Sequence, residues 1–351
     1  MTELSHNDYI RRIRAELPPG AFSPAPRKLW IMFGHLALVV CAYCIFRFGP
    51  SVLVAFFLTL VIGHSLACLG FLTHELAHGA IVRSRPLRYA LEVFFWGLNL
   101  IPATVWRRVH NQTHHIHANT PRDPDRPFLR SEESASTRWY TRLFFPNRRS
   151  LRWNPLVALH LVAYTTRNAV AAFYRPPAKP SVVPAVPGYS MRQRAMIVLE
   201  LIGIVVIQAG VFLLVGRNWS AYLWASPIAY AVTSAVAMSY IFTNHFLNPI
   251  SQTHDPLLGT TSVIVPSIID RLHVHFSLHT EHHLFPSMNS DYYPLVASAL
   301  RERFPDRYNR LPMLSAWKKL WRREVFSELE NSATTPNEVV GMPSPQGGEL
   351  N

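Results

Sequence analysis

The chain has 351 residues, 49% of them hydrophobic, yet carries a formal net charge of +13. A soluble domain is rarely both so apolar and so basic, so the combination argues for a membrane protein with basic faces on one side. Three Cys exclude a disulfide framework, whereas 17 His demand a site. Residues 1–28 are polar, mixed in charge and free of the short apolar core of a secretory signal, and are expected to be a cytoplasmic N-terminal segment. Four stretches have the ~20 apolar residues that carry a helix across a bilayer, at about 29–46, 52–73, 195–215 and 221–242. Residues 89–105, interrupted by Pro102, and 155–174, with Arg167 in the middle, are expected as interfacial helices or as the floor of an apolar groove. The membrane domain is placed at 29–329 and a disordered tail at 330–351. Cys41, Cys44 and Cys68 all fall in apolar stretches and are expected to be ordinary buried thiols; no rubredoxin-like iron site is encoded.

Charge sets the expected topology. Of the 34 Lys and Arg, only Arg47 and Arg217 lie in the two tight turns that join spans one to two and three to four. The positive-inside rule then puts both termini and the long 82–194 loop in the cytoplasm. Orientation accounts for the basic excess, so no nucleic-acid partner is implied.

The histidines fall into clusters that this topology brings to one face. His74 and His78, in "HELAH", emerge at the inner end of span two. His245 emerges at the inner end of span four. The long loop adds His110, His114 and His115 in "HNQTHH", and the region after span four adds His279, His282 and His283 in "HTEHH". His74-Glu75-x-x-His78 by itself fits a zinc protease, with Glu75 activating water. That reading leaves the other six box imidazoles unexplained. Eight or nine imidazoles suffice for two metal ions with positions left for an exogenous ligand, and imidazole suits iron, zinc and copper alike.

Three His boxes in this order and spacing resemble the membrane fatty acid desaturase and hydroxylase superfamily. The surrounding text, "HELAHGAIVRSR", "HHIHANTPRDPD" and "HTEHHLFPSM", is similar to its acyl desaturase branch over roughly residues 50 to 310. The resemblance implies an all-α integral membrane protein, with four transmembrane helices, interfacial helices and a cytoplasmic cap carrying the boxes. It implies two Fe ions cycling between Fe2+ and Fe3+, with O2 as co-substrate. The ligands would be the eight box histidines, with His245 as a ninth. Many relatives carry N-x-x-x-H near that point; here Ile241 stands four before His245 and Asn244 adjoins it. The third box begins with His279 where front-end desaturases have Gln.

The remaining residues are expected around the ligands or in structural roles. His117, Glu75 and Asn244 are candidates for an outer layer around the ligands. Asp123 and Asp125 either accept the distal N–H of ligand imidazoles or serve only their loop. Trp106, Arg107 and Arg108 contact a substrate head group or anchor the interface. His35, His64, His160 and His254 are expected to be structural, and His273 and His275 to lead the chain into box three. The expected reaction is O2-dependent insertion of a double bond into an acyl chain, bound to CoA, to a carrier protein or in a membrane lipid. A hydroxylase of an acyl chain, alkane or carotenoid shares the oxidant and is the alternative. An intramembrane zinc protease and a metal transporter are more distant. No haem, flavin, nicotinamide or Cys-rich cluster motif is fused, so electrons come from a separate carrier such as ferredoxin, rubredoxin or cytochrome b5.

Overall fold

The computed structural model describes residues 6–150, 154–174, 186 and 188–330. Most of the expected disordered tail lies outside these residues. Among the described residues, four helices are long and apolar enough to cross a membrane: Lys28–Phe46, Val52–Ala77, Met191–Leu214 and Trp219–His245. In chain order the helices are α1 (His6–Arg14), α2 (Lys28–Phe46), α3 (Val52–Ala77) and α4 (Arg85–Leu98), then α5 (Ala103–Trp106) and α6 (His115–His117), joined by the π-helical stretch Arg107–His114. α7 (Ala135–Phe144) and α8 (His160–Ala171) complete the long loop. α9 (Met191–Leu214) is the third span, and α10 (Trp219–Leu223) and α11 (Ala229–His245) make the fourth. A π-turn around Pro227, which has no N–H to donate, joins these last two. α12 (Pro256–Gly259), α13 (Ser267–Leu272), α14 (His279–Leu284), α15 (Tyr293–Arg303) and α16 (Met313–Leu320) follow.

The spans extend past their apolar cores. α9 begins at Met191 rather than 195 because Ser190 and Gln193 form a reciprocal cap, so a polar first turn is helical before the apolar run starts. α3 continues to Ala77 and so carries His74 within the helix. The two apolar stretches read as interfacial fold as α4 and α8, and neither has the length of a span. The chain breaks between α4 and α5 at Pro102, where Leu100 takes a φ of 59°. Apolar side chains such as Trp30, Phe57, Leu199 and Val205 point outward from the spans, as a lipid-facing surface requires. Cys41 and Cys44 share that outer surface of α2, so only Cys68 is the buried thiol expected of all three.

Packing between α3 and α11 sets the position of the site. A Cβ on Gly63 would meet the Val232 side chain at 2.5 Å and the Ala229 carbonyl at 2.6 Å, so only glycine permits this approach. Thr233 Oγ1 donates to the Gly63 carbonyl at 2.9 Å across the same contact. From there both helices rise roughly 17 Å to His74 and His245, which therefore reach the same level. Polar side chains also tie the spans together: Gln208 on α9 accepts from Tyr222 at 2.9 Å and from Ser226 at 2.7 Å. Glu200 accepts from Thr104 N at 3.0 Å and Thr104 Oγ1 at 2.7 Å, fastening the start of α5 to α9.

The cap is held by three short parallel strand pairs, each bringing a C-terminal segment back to an earlier one. Phe128–Leu129 pairs with Phe326–Ser327, Ile250–Ser251 with Leu329–Glu330, and Ser262–Ile264 with Arg310–Pro312. The second pair reaches Glu330, one residue into the segment expected as tail.

Candidate metal centre

Nine imidazoles meet at the shared end of α3 and α11, in two groups. His74, His78, His110, His115 and His282 form the first; His114, His245, His279 and His283 form the second. Local helix geometry explains the division. His74 and His78, and likewise His279 and His283, are four apart and share a face. Neighbours in a helix diverge by about 100°. The adjacent pairs His114–His115 and His282–His283 therefore each send one ring to either group. An α-helical second box would align His110 with His114. The π-helical stretch Arg107–His114 instead shifts the register by one, so that His110 joins His115.

Within the first group, Nε2 of His110 lies 2.8 Å from that of His74 and 3.2 Å from that of His115, and His282 Nε2 lies 3.1 Å from His115 Nε2. In the second, His245 and His279 bring their Nε2 atoms to 2.7 Å. Two nitrogens each about 2.1 Å from one cation and at right angles would be ~3 Å apart, so these spacings fit metal ligation. Neutral imidazoles crowded this way cannot all satisfy one another. His78 Nε2 and both ring nitrogens of His283 are buried without a hydrogen-bond partner. The two groups touch, the rings of His115 and His283 stacking at 4.5 Å.

The electrostatics keep the rings outside the spans unprotonated. Burial and neighbouring imidazoles hold His110, His115, His282 and His283 well below the usual histidine range. Burial pushes His279 down to about 3. A neutral ring is the form that ligates metal. His114 is the exception: burial opposes its charge, but the nearby Asp123 and Asp125 outweigh burial and raise it.

Outer partners orient several rings. Asp123 Oδ1 lies 2.8 Å from His114 Nδ1, while its Oδ2 accepts the Asn119 N–H at 2.7 Å. Asp125 stands 3.8 Å from Nδ1 of both His110 and His114 and accepts the Tyr164 hydroxyl. Tyr293 Oη is 3.1 Å from His282 Nδ1, and Trp106 stacks on His110 at 4.6 Å. Tyr293 and Tyr164 carry no signal in the sequence beyond a hydroxyl in an apolar context.

Other expected residues lie elsewhere. Glu75 Oε2 accepts from Lys28 Nζ at 2.8 Å, and Lys28 also reaches Ser290 at 2.7 Å and Asp291 at 3.2 Å. That carboxylate is committed to a buried ion pair, unlike a zinc protease glutamate, whose task is to activate metal-bound water. Arg107 is held by Glu92 through bonds of 2.6 and 2.8 Å, while Arg108 Nη1 donates to Gln112 at 3.3 Å. Asn244 adjoins His245 with both side-chain polar atoms buried and unpartnered. His117 belongs to neither group. His160 lies between Phe145 and Phe242, His254 faces the Ala118 carbonyl at 3.2 Å, and His275 pairs with Asp270 at 2.7 Å.

A cavity of about 60 Å3 touches both groups; it is lined by His74, His110, His114, His245 and His279, by His160, and by Leu161, Met238, Ile241 and Phe246. Leu161 also lines a second, apolar cavity of about 420 Å3, among Leu201, Ile204, Val170 and Phe173. The chain thus sets clustered imidazoles beside largely apolar space.

Comparison with curated proteins gives no match. The sequence does match the fatty acid desaturase family over residues 50–315, which contains all nine clustered histidines. Apolar spans, two imidazole groups at one membrane end and this match agree, and the chain belongs to the fatty acid desaturase family.

Proposed function

We propose that this chain is an acyl desaturase, inserting a double bond at a centre of two iron ions held by His74, His78, His110, His115 and His282 on one side and His114, His245, His279 and His283 on the other. The division of the two His-His pairs between both groups, beside an apolar cavity, carries this reading. An unactivated methylene has no acidic hydrogen and no leaving group, so iron bound by these imidazoles would supply, with O2 and two external electrons, the oxidising power the reaction needs. The chain's own residues do the positioning. Asp123 fixes the ring of His114, Asp125 with Tyr164 borders His110, and Tyr293 fixes His282. Leu161, Met238 and Ile241 exclude water and press the acyl chain toward the imidazoles. Asn244, next to His245 in the chain, keeps a buried amide with no hydrogen-bond partner.

The acyl chain is carried by CoA, a carrier protein or a membrane lipid. Expression in a host lacking the activity, followed by fatty acid profiling, tests the reading. The expected product is two hydrogens lighter than its substrate; a product heavier by one oxygen atom would make the chain a hydroxylase.

Both termini and the metal centre are assigned to the cytoplasm, where ferredoxin, rubredoxin or cytochrome b5 would dock on the basic face. A reporter fused after residue 48 or 217 is expected to read as outside, and one at either terminus as inside. Exclusive accessibility of the 110–120 segment from the outside would overturn this topology.

A further inference from the structure

A second cluster of metal-ligating side chains lies one level below the nine imidazoles. His64 and Cys68 are four apart on α3 and share a face. His273, the C-cap residue just after α13, meets them from the segment that follows span four. The His64 and His273 Nε2 atoms are 3.1 Å apart, and Cys68 Sγ lies 3.8 Å from His64 Nδ1 and 4.0 Å from His64 Nε2. One ligand atom from each residue falls within 4.8 Å of the other two.

We propose that His64, Cys68 and His273 form a separate site for one Cu+ ion. Three features support it. First, Tyr240 Oη lies 2.8 Å from His273 Nδ1. With its proton on Nδ1, donated to Tyr240, His273 turns a lone pair on Nε2 into the cluster, as an outer hydrogen bond does for a metal-ligating imidazole. Second, ligand bonds of about 2.0 Å to nitrogen and 2.3 Å to sulfur in a trigonal arrangement place N···N near ~3.5 Å and N···S near ~3.7 Å. The His64–His273 and Cys68–His64 separations come within about half an ångström of these values, and the Cys68–His273 separation, within 4.8 Å, closes by about 1 Å at most. Third, the ligand set and its surroundings choose the cation. A thiolate with two imidazoles favours a soft ion. Cys68 and His64 sit within a membrane span, where net charge is costly. A thiolate with Cu+ is neutral, whereas the same ligands with Zn2+ carry +1. Binding exchanges the Cys68 S–H proton, released to solvent, for an S–Cu bond, and no electron is transferred.

The site is distinct from the nine-imidazole centre. Phe71 and Phe276 stack at 4.4 Å between them, Phe71 against His273 at 5.3 Å and Phe276 against His74 at 5.4 Å. Along α3 the rise from Cys68 to His74 is roughly 9 Å.

The test uses the full-length protein as isolated in detergent, with Cys41→Ser and Cys44→Ser removing the two outer thiols. Cu+ is supplied without oxygen in competition with bathocuproine disulfonate, and copper and iron per chain are measured with the copper X-ray absorption spectrum. The expected result is one copper per chain with one sulfur ligand, lost in Cys68→Ser and in His273→Gln while iron content stays unchanged. The nine imidazoles offer no sulfur, so the spectrum of the parent protein distinguishes the sites without any variant at the cluster. No copper held against the chelator, or copper with nitrogen ligands only, would overturn the proposal. Retention by Cys68→Ser, or zinc held in its place, would do the same.

Discussion

His245→Ala abolishes product formation as fully as His114→Ala, at unchanged protein level, whereas His117→Ala keeps roughly 1–10% of the activity. His245 Nε2 lies 2.7 Å from His279 Nε2 inside the second group of imidazoles, and the His245 ring packs edge-on against His114 at 4.6 Å. Removing it leaves three nitrogens where four converged. His117 sits two residues beyond the second box, half-buried and outside both groups. Fatty acid profiling of membranes expressing each variant reads the difference. Near-wild-type product from His245→Ala would remove it from the centre and leave eight imidazoles.

Asp123→Ala is expected to lower activity about 10- to 100-fold and to weaken metal retention in parallel. The carboxylate is fully buried, holds His114 Nδ1 at 2.8 Å and anchors the Asn119 and Asp125 backbone N–H groups. Asp123→Asn separates these roles: it keeps an acceptor for the loop but removes the charge that raises His114. Asn is therefore expected to fall between Ala and the parent in turnover and metal content. Full activity in Asp123→Ala would reduce Asp123 to a loop residue, the other role left open by its sequence context.

Much of this architecture is legible in the sequence because its physics is local. Four apolar runs define the spans, the placement of Arg47 and Arg217 sets the expected orientation, and the three boxes supply eight of the nine clustered imidazoles. The boundaries drift where helical structure outlasts apolarity, as at Met191, where the Ser190 cap starts α9 before the hydrophobic run. The assignment of ligands to groups is not legible in the same way. His110 and His114, four apart, look like one α-helical face; a π-helical register pairs His110 with His115 instead. Nothing in "RRVHNQTH" announces that register. Contacts between distant segments are equally silent in the sequence. Tyr293 reaches His282, Lys28 reaches Glu75 across 47 positions, and the Gly63 crossing levels His74 with His245. Cys68, expected to be a plain buried thiol, has His64 one turn back on α3 and gains its second imidazole neighbour, His273, only when α13 folds back onto α3.

Metal analysis of the purified chain tests the central claim most directly. Five and four converging imidazoles predict about two iron per chain. Loss of a ring from either group, as in His78→Ala or His283→Ala, is expected to lower that number. One zinc per chain with no iron, unchanged when His114, His279 or His283 is replaced, would contradict the account and return the site to His74, Glu75 and His78 alone.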